Sequence, residues 1–180
     1  MLYRQNTLQT SRRHQLLTIL LYLILFACNN TLAKEKHTAL EGNRIIIEKS
    51  KRLMHVYHND ESIVTFRIAL GKSPTGQKMC AGDKRTPEGI YTIIEHKKVS
   101  QYYRALKISY PSETDKQRAK KQGCNPGGDI MIHGLENGFS WVGRTHRTID
   151  WTNGCIAITN KEMDILYNMV KDGSTVEIKP

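Results

Sequence analysis

The chain has 180 residues and carries 27 basic against 17 acidic side chains, a formal net charge of +10. That length holds one ordinary domain and falls short of what two usually need. The basic balance suits an anionic envelope or acidic polymers, but the charges are scattered instead of forming the stripe expected for nucleic-acid binding; no nucleic-acid partner is expected.

Residues 1–33 read as a signal peptide or N-terminal anchor. Arg4, Arg12 and Arg13 precede an apolar run over residues 16–27, and no acidic residue occurs in the first 33 positions. A charged start and a short apolar core describe a secretory signal, and the run is shorter than the roughly 20 residues of a membrane-spanning helix. Ala33 suits ordinary cleavage. Leu25-Phe26-Ala27-Cys28 also resembles an imperfect lipoprotein signal, in which Cys28 would be lipidated. The expectation is export to the periplasm or cell envelope, with the N-terminus either cleaved or kept as a membrane anchor.

From residue 43 the chain reads as short strands. Ile45-Ile46-Ile47 is β-branched, which favours a strand over residues 44–49. Residues 53–58 lead through the turn cluster Asn59-Asp60-Glu61 into a second arm over 63–70, where Val64, Phe66, Ile68 and Leu70 alternate as one buried face. Residues 71–88 are a loop. Strands follow over 89–96 and 103–110, then a short polar helix over 112–122 and a compact strand over 129–133. Residues 134–154 hold four glycines and two tryptophans without a period. Loops that long inside a domain are usually functional or disordered, and the tryptophans argue against disorder. After a short apolar run from Ile156 to Ile158, Thr159 and Glu162 form a capping box. Met163, Leu166, Tyr167 and Val170 then fall at helical spacing, with Gly173 as the expected stop. A strand over 175–179 closes the domain. The sum is a mainly β domain over residues 43–180, sandwich or barrel-like, with one or two short helices.

With Cys28 in the leader, Cys80, Cys124 and Cys155 remain. An odd count in an oxidising compartment implies one pair and a free thiol, or free thiols with a job. Cys155 follows Gly154 and precedes an apolar run. Such a corner can expose sulfur while neighbouring N–H groups face a substrate carbonyl. A thiol needs a base or a favourable field to act as a nucleophile. His133 ends one strand and opens the loop that returns to Cys155, and the Gly134 carbonyl beside it can orient the imidazole. Taken singly, such a Cys is more often a small buried hydrophobe; the glycine-rich loop joining the two carries the catalytic reading. Cys80 and Cys124 are then the possible disulfide. His146 reads as a solvated loop residue, and Asp83 and Arg85 as organisers of their own turn. His133, His146, Cys124 and Cys155 lack the close pairs of a zinc site, so no metal is expected.

The segment Ile130-Met131-Ile132-His133-Gly134, a spacer of 17 residues, and Thr152-Asn153-Gly154-Cys155-Ile156 resemble the signature of the L,D-transpeptidase (YkuD) family. Gly82-Asp83-Lys84-Arg85-Thr86-Pro87-Glu88-Gly89-Ile90-Tyr91 resembles a second block, and Ala69-Leu70-Gly71 with Pro74-Thr75-Gly76-Gln77-Lys78 a first. The resemblance implies Cys155 as nucleophile and His133 as base. Gly154, Gly134, Asn153 and Thr152 would shape the oxyanion site and orient the pair. The substrate would be peptidoglycan stem peptides, with D-Ala released and the acyl group passed to an amine for a 3-3 cross-link or protein attachment. An envelope lipoprotein is one acceptor; water would make the enzyme an L,D-carboxypeptidase. A non-catalytic peptidoglycan-binding module is the other alternative. No cofactor is implied, and a monomer is expected. Many members carry His where this chain has Asn153, and Arg where it has Ala157. That leaves Arg144 or Arg147 as the expected carboxylate anchor, with Trp141 and Trp151 lining the cleft.

Overall fold

The computed structural model describes residues 41–180; the 1–33 leader and Cys28 lie outside them. Three strands form a meander, β1 (Gly42–Glu48), β2 (Leu53–His58) and β3 (Glu61–Arg67). The β2–β3 turn has only two residues, and Asn59 takes the left-handed φ of 54° that Asn tolerates better than most side chains. A hairpin follows, β4 (Gly89–Ser100) and β5 (Tyr103–Ile108), then helix α1 (Glu113–Lys121), β6 (Met131–His133), β7 (Ile156–Ala157), helix α2 (Asn160–Met169) and β8 (Val170–Lys179).

The eight strands make one sheet in the order β3-β2-β1-β8-β4-β5-β6-β7. β1 pairs parallel with β8, and β6 with β7; the other neighbours are antiparallel. Just past β3, Ala69 exchanges two backbone hydrogen bonds of 2.9 Å with Ala157 of β7. The two ends of the sheet therefore meet, and the curled sheet takes on the barrel-like form expected. Alternation sends Ile45 and Ile47, Met54 and Val56, Tyr91 and Ile93, and Val176 and Ile178 into one core. Each such side chain contributes about 1.5–3 kcal/mol by leaving water.

Both short helices begin at capping boxes, Ser112 with Asp115 and Thr159 with Glu162. α2 buries Met163 and Leu166. Gly173 does not end it. The helix stops at Met169, and Val170 turns extended (φ −108°, ψ 153°) to open β8, where it pairs with Gly42 of β1. Burial of a β-branched side chain in a paired strand outweighs the local glycine signal.

Residues 71–88 have no regular structure and are held by polar anchors. The Lys49 ammonium, almost fully buried, donates to Glu88 and to the carbonyls of Gly76 and Thr86 at 2.8–3.0 Å. Asp83 accepts the backbone N–H groups of Met79, Cys80 and Arg85 and pairs with Lys78. It organises its own turn, as expected. Cys80 is joined to Cys124 in a disulfide, which ties this loop to the segment after α1. No helix among the described residues is long and apolar enough to cross a membrane.

Candidate active site

The parallel pairing of β6 and β7 sets Ile132 beside Ile156 and His133 beside Ala157. It thereby brings Cys155, at the entry to β7, to the strand that His133 ends. The two side chains line one cleft of about 310 Å³, with Lys97, Gln101, Tyr102 and Asp129 among its other walls. Cys155 is a free, half-buried thiol, and its Sγ lies 3.6 Å from the Asp129 carbonyl oxygen.

His133 is buried and its Nδ1 stands 2.7 Å from the Gly134 carbonyl. A carbonyl only accepts, so Nδ1 carries the proton and Nε2 keeps its lone pair. The Tyr102 ring lies 4.6 Å from the imidazole, and the Trp151 indole stands edge-on at 5.7 Å. Burial lowers the His133 pKa to about 4, against the opposing pull of the Gly134 bond. Burial also raises the Cys155 thiol, a rise opposed by a hydrogen bond from the Met131 backbone. The resting pair is thus a neutral imidazole and a neutral thiol at pH 7.

The corner before Cys155 is built by Thr152. Its hydroxyl donates to the Cys155 carbonyl at 2.8 Å and accepts the Gly154 N–H at 3.1 Å. Its backbone is fastened to Leu70 and Lys72. Gly154 has φ 129°, and a Cβ there would meet the Arg85 carbonyl oxygen at 2.7 Å. The site needs glycine for conformation and for close approach. Because the Gly154 N–H is committed to Thr152, it does not face the cleft as a free donor. The Cys155 N–H makes no hydrogen bond among the described residues. Asn153 is exposed. Gly134 is equally confined, since a Cβ would lie 2.7 Å from Asn160 Oδ1.

Other expected residues fall elsewhere. The Arg147 guanidinium pairs with Glu162, the capping residue of α2, and is largely buried; it braces the loop and does not line the cleft. Arg144 and Trp141 are exposed and also lie outside the cleft lining. Trp151 packs on His133, and its Nε1–H donates to His146 Nδ1 at 3.4 Å. His146 is buried instead of solvated. Trp151 covers one side of it, and burial, followed by the Arg147 charge, lowers its pKa to about 4. The 3-10 segment Ser140–Thr148, broken at Gly143, carries His146. Beside it lies a second pocket of about 280 Å³, walled by Leu135, Phe139, Val142, Ile149 and Trp151.

Lys97, Tyr102 and Asp129 line the cleft without having been expected there. Lys97 and Tyr102 belong to the β4–β5 hairpin, which no spacing in the sequence links to Cys155. Asp129 offered only its position four residues before His133.

The model of the YkuD family, described as the L,D-transpeptidase catalytic domain, matches residues 42–178. The Escherichia coli K12 protein named "Putative L,D-transpeptidase YafK" is 26% identical over 147 residues, covering 77% of this chain and 52% of its own. Among solved structures, the helical cell shape determining protein Pgp2 from Campylobacter jejuni superposes with a TM-score of 0.60 at 25% identity, over 78% of this chain and 48% of that one. The C442S mutant of Enterococcus faecium L,D-transpeptidase shares the fold, with a TM-score of 0.51 at 16% identity over 78% and 50% of the two chains. The chain spans about half the length of the curated relatives it matches.

Proposed function

Because the chain belongs to the YkuD family of L,D-transpeptidase catalytic domains, we propose that it is an exported cysteine acyltransferase acting on peptidoglycan stem peptides. Cys155 is the nucleophile and His133 the base. The observation that carries this reading is the shared cleft, in which a free thiol and a histidine of fixed tautomer both line the walls.

His133 Nε2 takes the Sγ proton as sulfur attacks the carbonyl between the third residue and the terminal D-Ala of a tetrapeptide. The Cys155 N–H donates to the resulting oxyanion, an interaction of a kind worth about 3 kcal/mol in acyl transfer. Collapse breaks the C–N bond, the imidazolium returns its proton to the leaving D-Ala amine, and a thioester remains. An amine then attacks the thioester carbonyl and gives its proton to His133; collapse breaks the C–S bond, the imidazolium returns the proton to Cys155 Sγ, and the acyl group leaves as a new amide, either a 3-3 cross-link or an attached envelope protein. Water in place of the amine gives an L,D-carboxypeptidase.

The domain over 43–180 works in the periplasm or envelope behind the 1–33 signal or anchor, as a monomer. A part in cell shape is consistent with the likeness to Pgp2. The test is D-Ala release from disaccharide-tetrapeptide by the full chain and by Cys155→Ala and His133→Ala variants. Release by the wild type alone, with product masses separating cross-link from hydrolysis, is the expected result. Equal release by the Cys155→Ala variant would remove the assignment.

A further inference from the structure

Two irregular segments bracket Cys155. On one side runs the loop over 71–88, where the Arg85 carbonyl oxygen lies against Gly154, 2.7 Å from where a Cβ would stand. On the other runs the chain from α1 to β6. Its Asp129 carbonyl oxygen is 3.6 Å from Cys155 Sγ, and the Met131 backbone bonds the same sulfur. The Cys80–Cys124 disulfide joins the two segments, five residues before Arg85 on one and five before Asp129 on the other. Among the described residues, the one backbone hydrogen bond between them runs from the Ala81 N–H to the Asn125 carbonyl at 2.7 Å, next to the disulfide. Asp129 is held at φ 55°, left-handed backbone that is costly for an L side chain. Cys80 and Cys124 are both half-buried, so the bond is within reach of a dithiol.

Resting on the proposed function, we infer that the Cys80–Cys124 disulfide is a redox-sensitive clamp on the nucleophile. Closed, it holds the two segments against Gly154 and Cys155 and keeps Sγ where His133 Nε2 takes its proton. A dithiol opens it. One thiolate attacks a sulfur of the bond and forms a mixed disulfide, and the second thiolate then displaces the protein sulfur. The dithiol is oxidised to a disulfide, Cys80 and Cys124 each gain a proton, and Cys155 keeps its own. In the open form Asp129 relaxes away from the sulfur, which becomes more exposed and less well aligned. Cys80 and Cys124 are positioning residues and touch neither substrate nor reacting atoms.

The test reduces the full chain with dithiothreitol and removes the reductant by gel filtration under nitrogen, so that it cannot intercept the thioester. D-Ala release from disaccharide-tetrapeptide is expected to fall about tenfold, mainly in kcat, short of the hundredfold that a full 1 Å displacement can cost. Reoxidation restores it. Over the same treatment iodoacetamide, read on the Cys155 peptide, is expected to label that residue several-fold faster, as the sulfur emerges from between its two walls. A Cys80→Ser/Cys124→Ser variant is expected to match the reduced chain and to ignore the reductant. Thermal unfolding shows which forms are folded. Full turnover by a folded reduced chain, unchanged labelling of Cys155, or loss of folding in both the reduced chain and the variant would overturn the inference. Labelling needs no substrate. If the oxidised wild type releases no D-Ala, the acyl-transfer reading falls and the labelling rates alone decide the clamp.

Discussion

Arg52, at the turn between β1 and β2, forks onto the carboxylate of Asp150 through Nε and Nη2 at 2.8–3.2 Å. Asp150 also accepts the Leu70 N–H at 2.9 Å and stands five residues before Cys155. The meander, packed into the common core through Ile45, Ile47, Met54 and Val56, thus fixes the start of the segment that carries the thiol.

Asp150→Ala leaves the Leu70 N–H and the Arg52 guanidinium without their partner. Urea unfolding is expected to show a loss of about 1–3 kcal/mol. Turnover should fall mainly in kcat, because the change displaces the nucleophile and not the walls that hold substrate.

Gly154→Ala is expected to be more damaging to activity than any exposed change in residues 134–154. The added Cβ meets backbone, the Arg85 carbonyl at 2.7 Å, at a φ of 129° that L side chains rarely adopt. A displacement of the thiol by about 1 Å can cost a hundredfold in rate. Steady-state D-Ala release, with thermal unfolding as the control for folding, measures it. Wild-type rates in a folded Gly154→Ala variant would contradict the corner geometry.

The low pKa of His133 sets the pH profile. As base it must be neutral, so the acid limb of kcat/KM should fall near pH 4, well below the 6.5 of an ordinary histidine. The same shift enters stability. The folded state holds the proton less tightly than the unfolded chain does. The contribution is therefore complete above pH 6.5 and is lost as pH falls through about 4, for a total of about 3 kcal/mol. His146, also lowered to about 4, acts with the same sign. Its Nε2 is buried without a partner; His146→Phe removes the titrating ring at the loss of one long bond from Trp151 Nε1–H, and should flatten the decline. Urea titrations at intervals from pH 7 to pH 4 test both.

The Cys80–Cys124 disulfide closes a span of 44 residues. Replacing both cysteines with serine should cost about 2–4 kcal/mol, read by chemical denaturation in the absence of reductant. Among the cysteines of the described residues, thiol titration of the native protein should find Cys155 alone, since Cys80 and Cys124 are paired.

Much of this arrangement is legible locally. The alternation of Val64, Phe66 and Ile68, the Thr159–Glu162 capping box and the Gly-Cys corner are each written within a few neighbouring residues. What depends on long-range closure is not. Val170 looks like the last turn of a helix until β1 arrives beside it. His146 looks solvated until Trp151 covers it. Arg147 looks free for a substrate carboxylate, yet the Glu162 that caps α2 has a second oxygen to offer it. Lys97 and Tyr102 reach the cleft only because the β4–β5 hairpin extends past the core. Asn137 then holds its tip, donating its side-chain amide to the Ser100 carbonyl and its backbone N–H to Gln101.

The most direct test of the central claim is intact-mass spectrometry of the full chain after brief mixing with disaccharide-tetrapeptide at acid quench. The account predicts an acyl adduct, equal to the substrate less D-Ala, mapped by proteolysis to the peptide holding Cys155 and absent from Cys155→Ala. D-Ala release without such an adduct, or an adduct on any other residue, would contradict it.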